Sequence, residues 1–342
     1  MESTCKKPNR IALDDSVIQS LAVSRAFKDS CTPLNSMDWD KDGDFLITSS
    51  EDESIYLYSS SSGECSRTLH SRKGGAEVIR FVHQNNKQCV CVAKTTTDTF
   101  TSSIKCWDIV ENAYIHNFSL PASTIRHVGL SMHPHRAMML SSCADSTVRL
   151  FTLDNAQPLV KIHASVTSPV ASFDTEGFIF ACYLGNRKLH LYDCNNYSKG
   201  EFHIFDLRKH LRSEEHVTVS NSVTFSTDGK SIVVSTLNGQ LLRLDSFTGE
   251  VVQNFSADGL STTGQPFPCI PTISPDSKYL ICGGTNKCTH IWRLGDGVLV
   301  AKLAGHAGAP LLSLFNPKKA LLATAGLNLA WWQPDMNANQ II

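Results

Sequence analysis

Short apolar runs with alternating polar positions recur along the whole chain, and turn residues separate them. The segment FLITSSEDESIYLYSSSSGECSRTL shows the pattern: an apolar run, small residues, an acidic turn at Asp52, an alternating strand that ends at Tyr58, and a Ser/Gly turn before another strand. Apolar residues at every second position, in short segments bounded by turn residues, predict β-strands rather than helices. Helical periodicity is almost absent, and the KHLRSEEH stretch alone favours a short helical turn.

The same order of features returns in four more segments. In all five, the turn residue precedes the strand-end residue by six positions: Asp52 and Tyr58, Asp145 and Phe151, Asn186 and Tyr192, Asn238 and Leu244, Asn286 and Trp292. Two further units end their strands at Trp107 and at Trp331 or Trp332. The seven strand ends, at positions 58, 107, 151, 192, 244, 292 and 332, lie 40 to 52 residues apart. Repeats of that length with four strands each predict an all-β, seven-bladed β-propeller.

The last unit ends near Pro334, which leaves too little chain for its outermost strand. The segment SVIQSLAVSRAF, ahead of the first unit, alternates through Leu21, Val23 and Phe27. We expect it to supply the missing strand and to close the ring, because closure removes open sheet edges. The expected organisation is a single propeller over residues 13–335, with flexible tails at 1–12 and 336–342.

Marks of the WD repeat are present but sparse: an intact Trp-Asp pair at Trp107 and Asp108, and a Gly-His pair at Gly305 and His306. Longer strings are more specific, namely GECSRTLHSRKGGAEVIRFVH, TFSTDGKSIVVSTLNGQLLRLDSFTGE and the final LNLAWWQP. Through them the chain resembles a WD-repeat subfamily, the propeller subunit shared by the COMPASS (SET-domain) histone methyltransferase complex and by a nuclear type-one protein phosphatase complex built on PNUTS. The resemblance covers residues 13 to 335 and is interrupted by the insertion AKTTTDTFTSS before Trp107.

The resemblance implies a non-catalytic nuclear scaffold that binds extended segments of larger regulators. The implied partners are a PNUTS-like phosphatase regulatory subunit with its type-one phosphatase, subunits of a SET-domain methyltransferase complex, and the phosphorylated tail of RNA polymerase II. The implied role lies in RNA polymerase II transcription and its termination, with the propeller monomeric inside a hetero-complex. The alternative is an RNA-binding propeller or another type of WD-repeat adaptor.

The charge balance disfavours the RNA-binding alternative. Lys and Arg number 31 and Asp and Glu 32, so the formal net charge is -1, whereas nucleic-acid binding draws on a strongly positive surface. No apolar stretch approaches the roughly 18 residues of a membrane span, and the N-terminal residues lack the apolar core of a signal peptide. The 12 cysteines form no C-x-x-C pair. We expect reduced thiols that pack as small apolar groups, with disulfides as the less favoured interpretation.

Catalytic motifs are missing from the sequence. It contains no G-x-S-x-G, no G-x-x-x-x-G-K and no G-x-G-x-x-G, the patterns of a nucleophile turn and of phosphate-binding loops. His133 and His135 have the spacing of two metal ligands on a strand, but no Cys or carboxylate pattern accompanies them. We therefore expect no enzymatic activity, no metal and no cofactor.

Two basic stretches are the main candidates for partner binding, because guanidinium groups in loops suit acidic or phosphorylated segments. The first basic set, between blades 1 and 2, comprises Arg67, Arg72, Lys73 and Arg80. The second basic set, between blades 4 and 5, comprises Arg208, Lys209 and Arg212. Glu214 and Glu215 offset the second set, which favours the first. The plainer interpretation of both is a solvated loop whose Arg stems cover apolar surface.

Trp331 and Trp332 are adjacent on the last predicted strand, so their side chains face opposite sides. One indole is expected in the core and the other near the surface, where Trp332 would act as an anchor for a partner. Packing within or between blades is the favoured alternative for both.

Overall fold

The structure is a computed structural model, and it describes residues 12–70, 75–93, 103–119, 127–211, 220–260, 268 and 270–335. These residues form seven four-stranded antiparallel sheets. The first strand of every blade contacts the first strand of both neighbouring blades, so these seven strands surround a central axis. The predicted all-β, seven-bladed propeller is confirmed.

Blades 1 to 3 follow one another along the chain, each from its innermost to its outermost strand. Their strands are β2 (Leu34–Trp39), β3 (Phe45–Ser50), β4 (Ser54–Ser59) and β5 (Glu64–His70); β6 (Ala76–Val82), β7 (Asn85–Ala93), β8 (Ser103–Asp108) and β9 (Ala113–Ser119); and β10 (His127–Met132), β11 (Met138–Cys143), β12 (Thr147–Thr152) and β13 (Val160–His163).

Blades 4 to 6 repeat this order, and blade 7 takes its outermost strand from the start of the described chain. Their strands are β14 (Val170–Phe173), β15 (Ile179–Gly185), β16 (Lys188–Asp193) and β17 (His203–Asp206); β18 (Ser220–Phe225), β19 (Ser231–Thr236), β20 (Leu241–Asp245) and β21 (Val251–Phe255); β22 (Thr272–Ile273), β23 (Tyr279–Gly283), β24 (Cys288–Arg293) and β25 (Leu299–Ala304); and β26 (Leu312–Phe315), β27 (Leu322–Ala325), β28 (Leu329–Pro334) and β1 (Leu21–Phe27).

Ring closure by the N-terminal segment is confirmed for residues 21–27. Strand β1 pairs antiparallel with β28, from Leu21 opposite Pro334 to Phe27 opposite Leu329. The four residues before Ser20, predicted as part of that strand, belong instead to a short helix, α1 (Asp15–Gln19). Asp14 causes this change, because its carboxylate accepts a hydrogen bond from the amide of Val17 at 2.9 Å and so caps the helix.

The remaining helical structure in the described ranges is a 3-10 turn, Tyr197–Lys199. No helix in these ranges is long and apolar enough to cross a membrane. The helical turn expected in KHLRSEEH falls mostly on residues 212–219, which lie outside the described residues, and the stretch before it forms turns. The expected tails lie outside them too, except for residue 12.

The core lies between blades rather than within them. Seven clusters of buried apolar side chains occur in the described structure, and each draws its members from two neighbouring blades. Between blades 7 and 1, for example, Trp331 packs 5.7 Å from Trp39 and 5.0 Å from Phe27, measured between ring centroids. Every described cysteine is a free thiol, and most are buried.

Polar side chains link the first turns of neighbouring blades. Asn316, which directly follows β26, donates from its amide to the carbonyl of Gly43 in blade 1 at 2.8 Å. His133 occupies the equivalent position after β10, and its Nε2 lies 3.0 Å from the carbonyl of Gly177 in blade 4. Both glycines have a positive φ, and a Cβ atom at either would overlap the side chain that reaches it. Their conformation and their lack of a side chain are therefore both required.

Deletion of residues 1–27 should abolish the folded monomer. It would remove β1 together with Ile18 and Leu21, which are 0% and 7% exposed, a loss of about 3–6 kcal/mol of apolar burial. That loss is comparable to the total stability of a typical domain, about 5–15 kcal/mol. Size-exclusion chromatography and thermal melting would check this, with deletion of residues 1–11 as the control. A monomeric product with an unchanged melting temperature would contradict the closure.

Gly43→Ala should destabilise the propeller more than Gly229→Ala. The two glycines have nearly the same φ, 70° and 69°, so the backbone strain of an alanine is matched. At Gly229 a Cβ atom would meet nothing within 4 Å, whereas at Gly43 it would displace Asn316. We expect a loss of about 1 kcal/mol for Gly229→Ala and at least about 2 kcal/mol for Gly43→Ala. Urea denaturation of both variants is the measurement, and equal losses would show that the Asn316 link contributes nothing.

His133→Asn should reduce the acid sensitivity of the fold. Burial lowers the pKa of His133, so below pH 6.5 the unfolded chain binds a proton that the folded chain does not. The free energy of unfolding therefore decreases as the pH is lowered. Asparagine cannot titrate, and Asn316 already makes the same link in blade 7. The wild type should therefore lose more stability than the variant between pH 7.5 and 5.5, by at most about 1.4 kcal/mol per pH unit. Urea midpoints that shift equally in the two proteins would refute this role of His133.

Candidate partner-binding surfaces

The two described members of the first basic set, Arg67 and Arg80, do not lie in one patch. Arg67 lies on β5, the outermost strand of blade 1, whereas Arg80 lies on β6, the innermost strand of blade 2. Arg72 and Lys73 lie outside the described residues. Arg67 and Arg80 are close in sequence, but the chain passes between them from the rim of one blade to the axis side of the next.

Arg67 acts as a link between two blades. Its guanidinium donates hydrogen bonds to the carbonyls of Ile109 and Val110, the latter at 2.8 Å, in the turn between β8 and β9 of blade 2. Arg25 and Gln253 stand at the same place on β1 and β21, and each lies against the corresponding turn of the following blade, at Gly63 and Gly297. This contact with the following blade therefore recurs in blades 1, 5 and 7. The Arg67 side chain nevertheless remains solvent-exposed.

Arg80 is held between blades 1 and 2, and its contacts with blade 1 are the hydroxyl of Ser36 and, at 3.3 Å, the carbonyl of Met37. Its guanidinium donates to the hydroxyl of Ser36 at 2.7 Å and to the carbonyl of Ile79 at 2.7 Å. Nearby, the carboxylate of Asp38 accepts a hydrogen bond from the amide of Phe81 at 2.8 Å. Burial raises the pKa of Asp38, and the positive charge of Arg80 opposes that shift. These contacts join the inner strands of blades 1 and 2, so Arg80 helps to hold neighbouring blades together.

Trp332 is interior, and its expected role as an exposed anchor is wrong. The indole is 3% exposed and packs between blades 6 and 7. Its Nε1 donates to the hydroxyl of Thr324 at 2.7 Å, and the same hydroxyl lies 2.7 Å from Nε2 of His306. Trp331 is buried on the opposite side, between blades 7 and 1. Both faces of β28 are covered because each faces a neighbouring blade, which is why neither tryptophan reaches the surface.

The second basic set gains two members from strand pairing. Lys188 is directly opposite Asp206 in the β16–β17 ladder, and the carbonyl of Arg187 accepts a hydrogen bond from the amide of Leu207 at 2.9 Å. Arg208 makes a paired hydrogen bond to the carboxylate of Asp206, which holds the pKa of Asp206 well below its usual range. Lys209 follows in an exposed turn.

The resulting upper basic edge comprises Arg187, Lys188, Arg208 and Lys209, and Asp206 offsets one of its charges. Arg212 lies outside the described residues, as do Glu214 and Glu215. The edge is more compact than the first set, which reverses the preference drawn from the sequence. Sequence reasoning missed Arg187 and Lys188 because they lie about 20 positions earlier, where the turn before β16 ends and β16 begins. The positive φ of Arg187 marks that turn.

A β-bulge in the outermost strand of the blades was also missed. In five blades the ladder to that strand shifts register at the same point and leaves one extra residue, Ser24, Ser66, Ile115, Val252 or Val300. In blades 3 and 4, Leu159 and Phe202 occupy the equivalent position. Their amides donate to the carbonyls of Leu150 and Leu191 on the neighbouring strand. Four of these residues are large, apolar and exposed: Ile115, Leu159, Phe202 and Val252. A bulge residue follows the strand-end residue by eight positions in most blades, which is the signal that could have located it.

The described residues form no cluster suited to metal binding. No group of three or more His, Cys, Asp and Glu residues in these ranges could hold a metal ion. His133, one of the two histidines with ligand-like spacing, has both ring nitrogens engaged: Nδ1 accepts from the amides of His135 and Arg136, and Nε2 contacts Gly177. Its geometry is that of a structural link.

Comparison with known proteins identifies the repeat and its relatives. The family model described as "WD domain, G-beta repeat" matches residues 22–59, which span β1 and most of blade 1. The "COMPASS component SWD2" of Saccharomyces cerevisiae is 28% identical over 313 residues, 86% of this chain and 89% of that protein. The "Set1 complex component swd2" of Schizosaccharomyces pombe is 29% identical over 270 residues, 77% of this chain and 71% of that protein.

A relative from Drosophila melanogaster matches nearly end to end. "WD repeat-containing protein 82" is 34% identical over 333 residues, which is 95% of this chain and 98% of that protein. The alignment therefore includes all seven blades as well as the closing strand β1. The seven-bladed WD-repeat fold and this full-length similarity together show that the chain belongs to the family of WD repeat-containing protein 82.

Proposed function

We propose that the chain is a non-catalytic adaptor subunit of a COMPASS-type histone methyltransferase complex. The observation that carries the proposal is the relative named "COMPASS component SWD2", which aligns over 86% of this chain and 89% of its own length. The fission yeast relative, named as a Set1 complex component, supports the same assignment. A match over most of both chains covers the propeller as a whole rather than one isolated motif, and this supports an assembly role for this chain as well.

The proposal extends to the nucleus and to a second assembly. The sequence strings that resemble the shared subfamily support a place beside a PNUTS-like regulatory subunit and its type-one phosphatase, with a role in RNA polymerase II transcription and its termination. The phosphorylated polymerase tail is proposed as a further partner. In each case the chain would be a monomeric propeller within a hetero-complex, and it would contribute a binding surface rather than a reacting group.

The structure supports binding of extended segments at the rim. Blades are rigidly linked through side chains such as Asn316, His133 and Arg67, so surface groups on different blades keep fixed separations. A rigid surface lowers the ordering cost of binding, which then falls mainly on the partner. The upper basic edge offers charge for acidic or phosphorylated residues, and exposed apolar residues at the bulges offer anchors.

Affinity purification from nuclear extract tests the proposal. A tagged wild-type chain should recover SET-domain methyltransferase subunits, a PNUTS-like subunit with type-one phosphatase, or both, as identified by mass spectrometry. Recovery of methyltransferase subunits alone would confirm the adaptor role and exclude the phosphatase assembly. The extract is treated with nuclease in parallel, so that proteins bridged by nucleic acid are removed.

The tag alone and the closure-deficient deletion of residues 1–27 serve as negative controls. Recovery of neither set of subunits, together with stable RNA that survives at moderate salt, would overturn the adaptor proposal. It would favour the RNA-binding alternative, whose affinity should fall steeply as salt rises.

A further inference from the structure

The upper basic edge is formed by two turns of blade 4. Arg187 ends the turn before β16, Lys188 is the first residue of that strand, and Arg208 lies just after β17. The amide of Leu207 donates to the carbonyl of Arg187 at 2.9 Å, and Lys188 is directly opposite Asp206, the last residue of β17. The two turns are therefore neighbours in space, although about 20 positions of sequence separate them.

The turn after β17 is anchored in the core at both ends. Leu207 and Leu211 are 0% and 3% exposed, and both belong to the cluster between blades 4 and 5. The amides of His210 and Leu211 donate to the carbonyl of Leu207 at 3.0 Å, which closes the turn. Between the two leucines, Arg208, Lys209 and His210 are exposed. A turn held in this way presents its charges at fixed positions, and this lowers the ordering cost of binding.

Most arginines of the described structure are already engaged by other groups of the protein. Those that donate hydrogen bonds to a carbonyl, hydroxyl, amide or carboxylate oxygen are Arg67, Arg80, Arg136, Arg149, Arg208, Arg243 and Arg293. In contrast, Arg187, Lys188 and Lys209 form no side-chain hydrogen bond or direct ion pair with any described residue. Three such charges on one edge raise the local positive potential and attract anions.

Asp206 shows that the edge accommodates a carboxylate. Its oxygens accept hydrogen bonds from Nε of Arg208 at 2.9 Å and from the amide of Arg208 at 3.0 Å. These bonds hold the pKa of Asp206 well below its usual range. One carboxylate offsets only one of the four basic side chains, so the edge retains a net positive charge that further carboxylates can neutralise.

The arrangement favours separate carboxylates over a phosphate group. A phosphate concentrates its charge at one point, and its binding sites bring several donors together there. On this edge the unpaired groups lie on two turns, Arg187 and Lys188 on one and Lys209 on the other, with Asp206 between them. A doubly charged anion placed between the turns would be repelled by Asp206. Carboxylates spaced along a peptide can reach the basic groups one at a time.

Nucleic acid suits this edge less well than an acidic peptide. Single strands are held by aromatic side chains on which the bases stack, along a continuous positive groove. Neither turn contains Phe, Tyr or Trp, and the formal net charge of the whole chain is -1. The positive surface is therefore local, and it lacks a platform for bases.

We propose that the upper basic edge binds a segment of a larger subunit in which several aspartate or glutamate residues lie within a few positions of one another. The inference rests on the proposed adaptor function, and it names the surface and the chemistry of the partner. Carboxylates of the segment contact Arg187, Lys188 and Lys209, while Arg208 stays paired with Asp206.

A defined probe tests the inference on the full chain. The probe is a short fluorescent peptide in which glutamate alternates with serine. Its controls are the same peptide with glutamine in place of glutamate, a phosphoserine peptide of equal total charge and a single-stranded RNA of equal total charge. Fluorescence anisotropy at low salt should show the glutamate peptide bound at least about tenfold more tightly than the glutamine peptide, and more tightly than the other two ligands. Equal binding of the glutamate and glutamine peptides, or tightest binding of the phosphoserine peptide or the RNA, would overturn the proposal.

Matched double variants locate the binding site. Lys188→Gln with Lys209→Gln removes two charges from the edge, whereas Lys230→Gln with Lys318→Gln removes two from exposed turns of blades 5 and 7. Circular dichroism and melting temperature would verify that both fold. The first double variant should bind the glutamate peptide at least about tenfold more weakly and with a smaller salt dependence, and the second should bind it like the wild type. Equal weakening in the two would show that net charge alone sets the affinity, and the edge would not be the site.

The peptide and the affinity purification separate this inference from the adaptor function. If COMPASS-type subunits are recovered but the wild type does not prefer the glutamate peptide, the adaptor function stands and the assignment of the edge is refuted. If the glutamate peptide is preferred and Lys188→Gln with Lys209→Gln abolishes the preference, the edge stands even where no such subunits are recovered, and the adaptor function is refuted.

Discussion

Neighbouring blades are not joined by β-ladders, and this constraint determines much of the sequence. Apart from an isolated bridge between Ile270 and Leu312, strands of different blades in the described structure do not pair. Backbone amides on the inner strands still need acceptors, and side chains supply them: the hydroxyl of Ser131 accepts from the amide of Phe173 in the next blade at 3.1 Å. Polar residues near the axis, which in another fold would suggest chemistry, are here required to hold the ring together.

The same constraint explains why the fold was largely predictable. Each blade is made from hairpins, so its turn and strand-end residues are close together in sequence. The offset of six residues between them, as from Asp52 to Tyr58 or from Asn286 to Trp292, can therefore be recognised in the sequence of single blades. Closure was predictable because the last repeat lacked its outermost strand and an additional strand-like segment preceded the first repeat. Helix α1 was not, since its cap at Asp14 competes with the strand-like alternation that begins nearby. There the hydrogen bond to Val17 decides the structure, not the hydrophobic period.

The candidate surfaces were less predictable because they depend on which strand a residue occupies. Arg67 and Arg80 seemed to form one patch from their sequence separation, yet one lies at the rim and the other near the axis. Trp332 seemed available because adjacent strand residues face opposite sides; in a propeller both sides of an interior strand meet another blade. Lys188 joined the second basic set only through the ladder register, which places it opposite Asp206. Such information is absent from a one-dimensional pattern.

The pairing of β1 with β28 also orders events during synthesis. The ribosome makes Leu21 about 300 residues before its partner Pro334, so the strand that completes the molecule emerges first and must wait, unpaired, until nearly all the other strands exist. Contacts between such distant positions form slowly, because a long loop must close before they contribute stability. During that interval the incomplete ring exposes strand edges that invite wrong pairing. Folding therefore depends on β1 staying free of other pairings until blade 7 is complete.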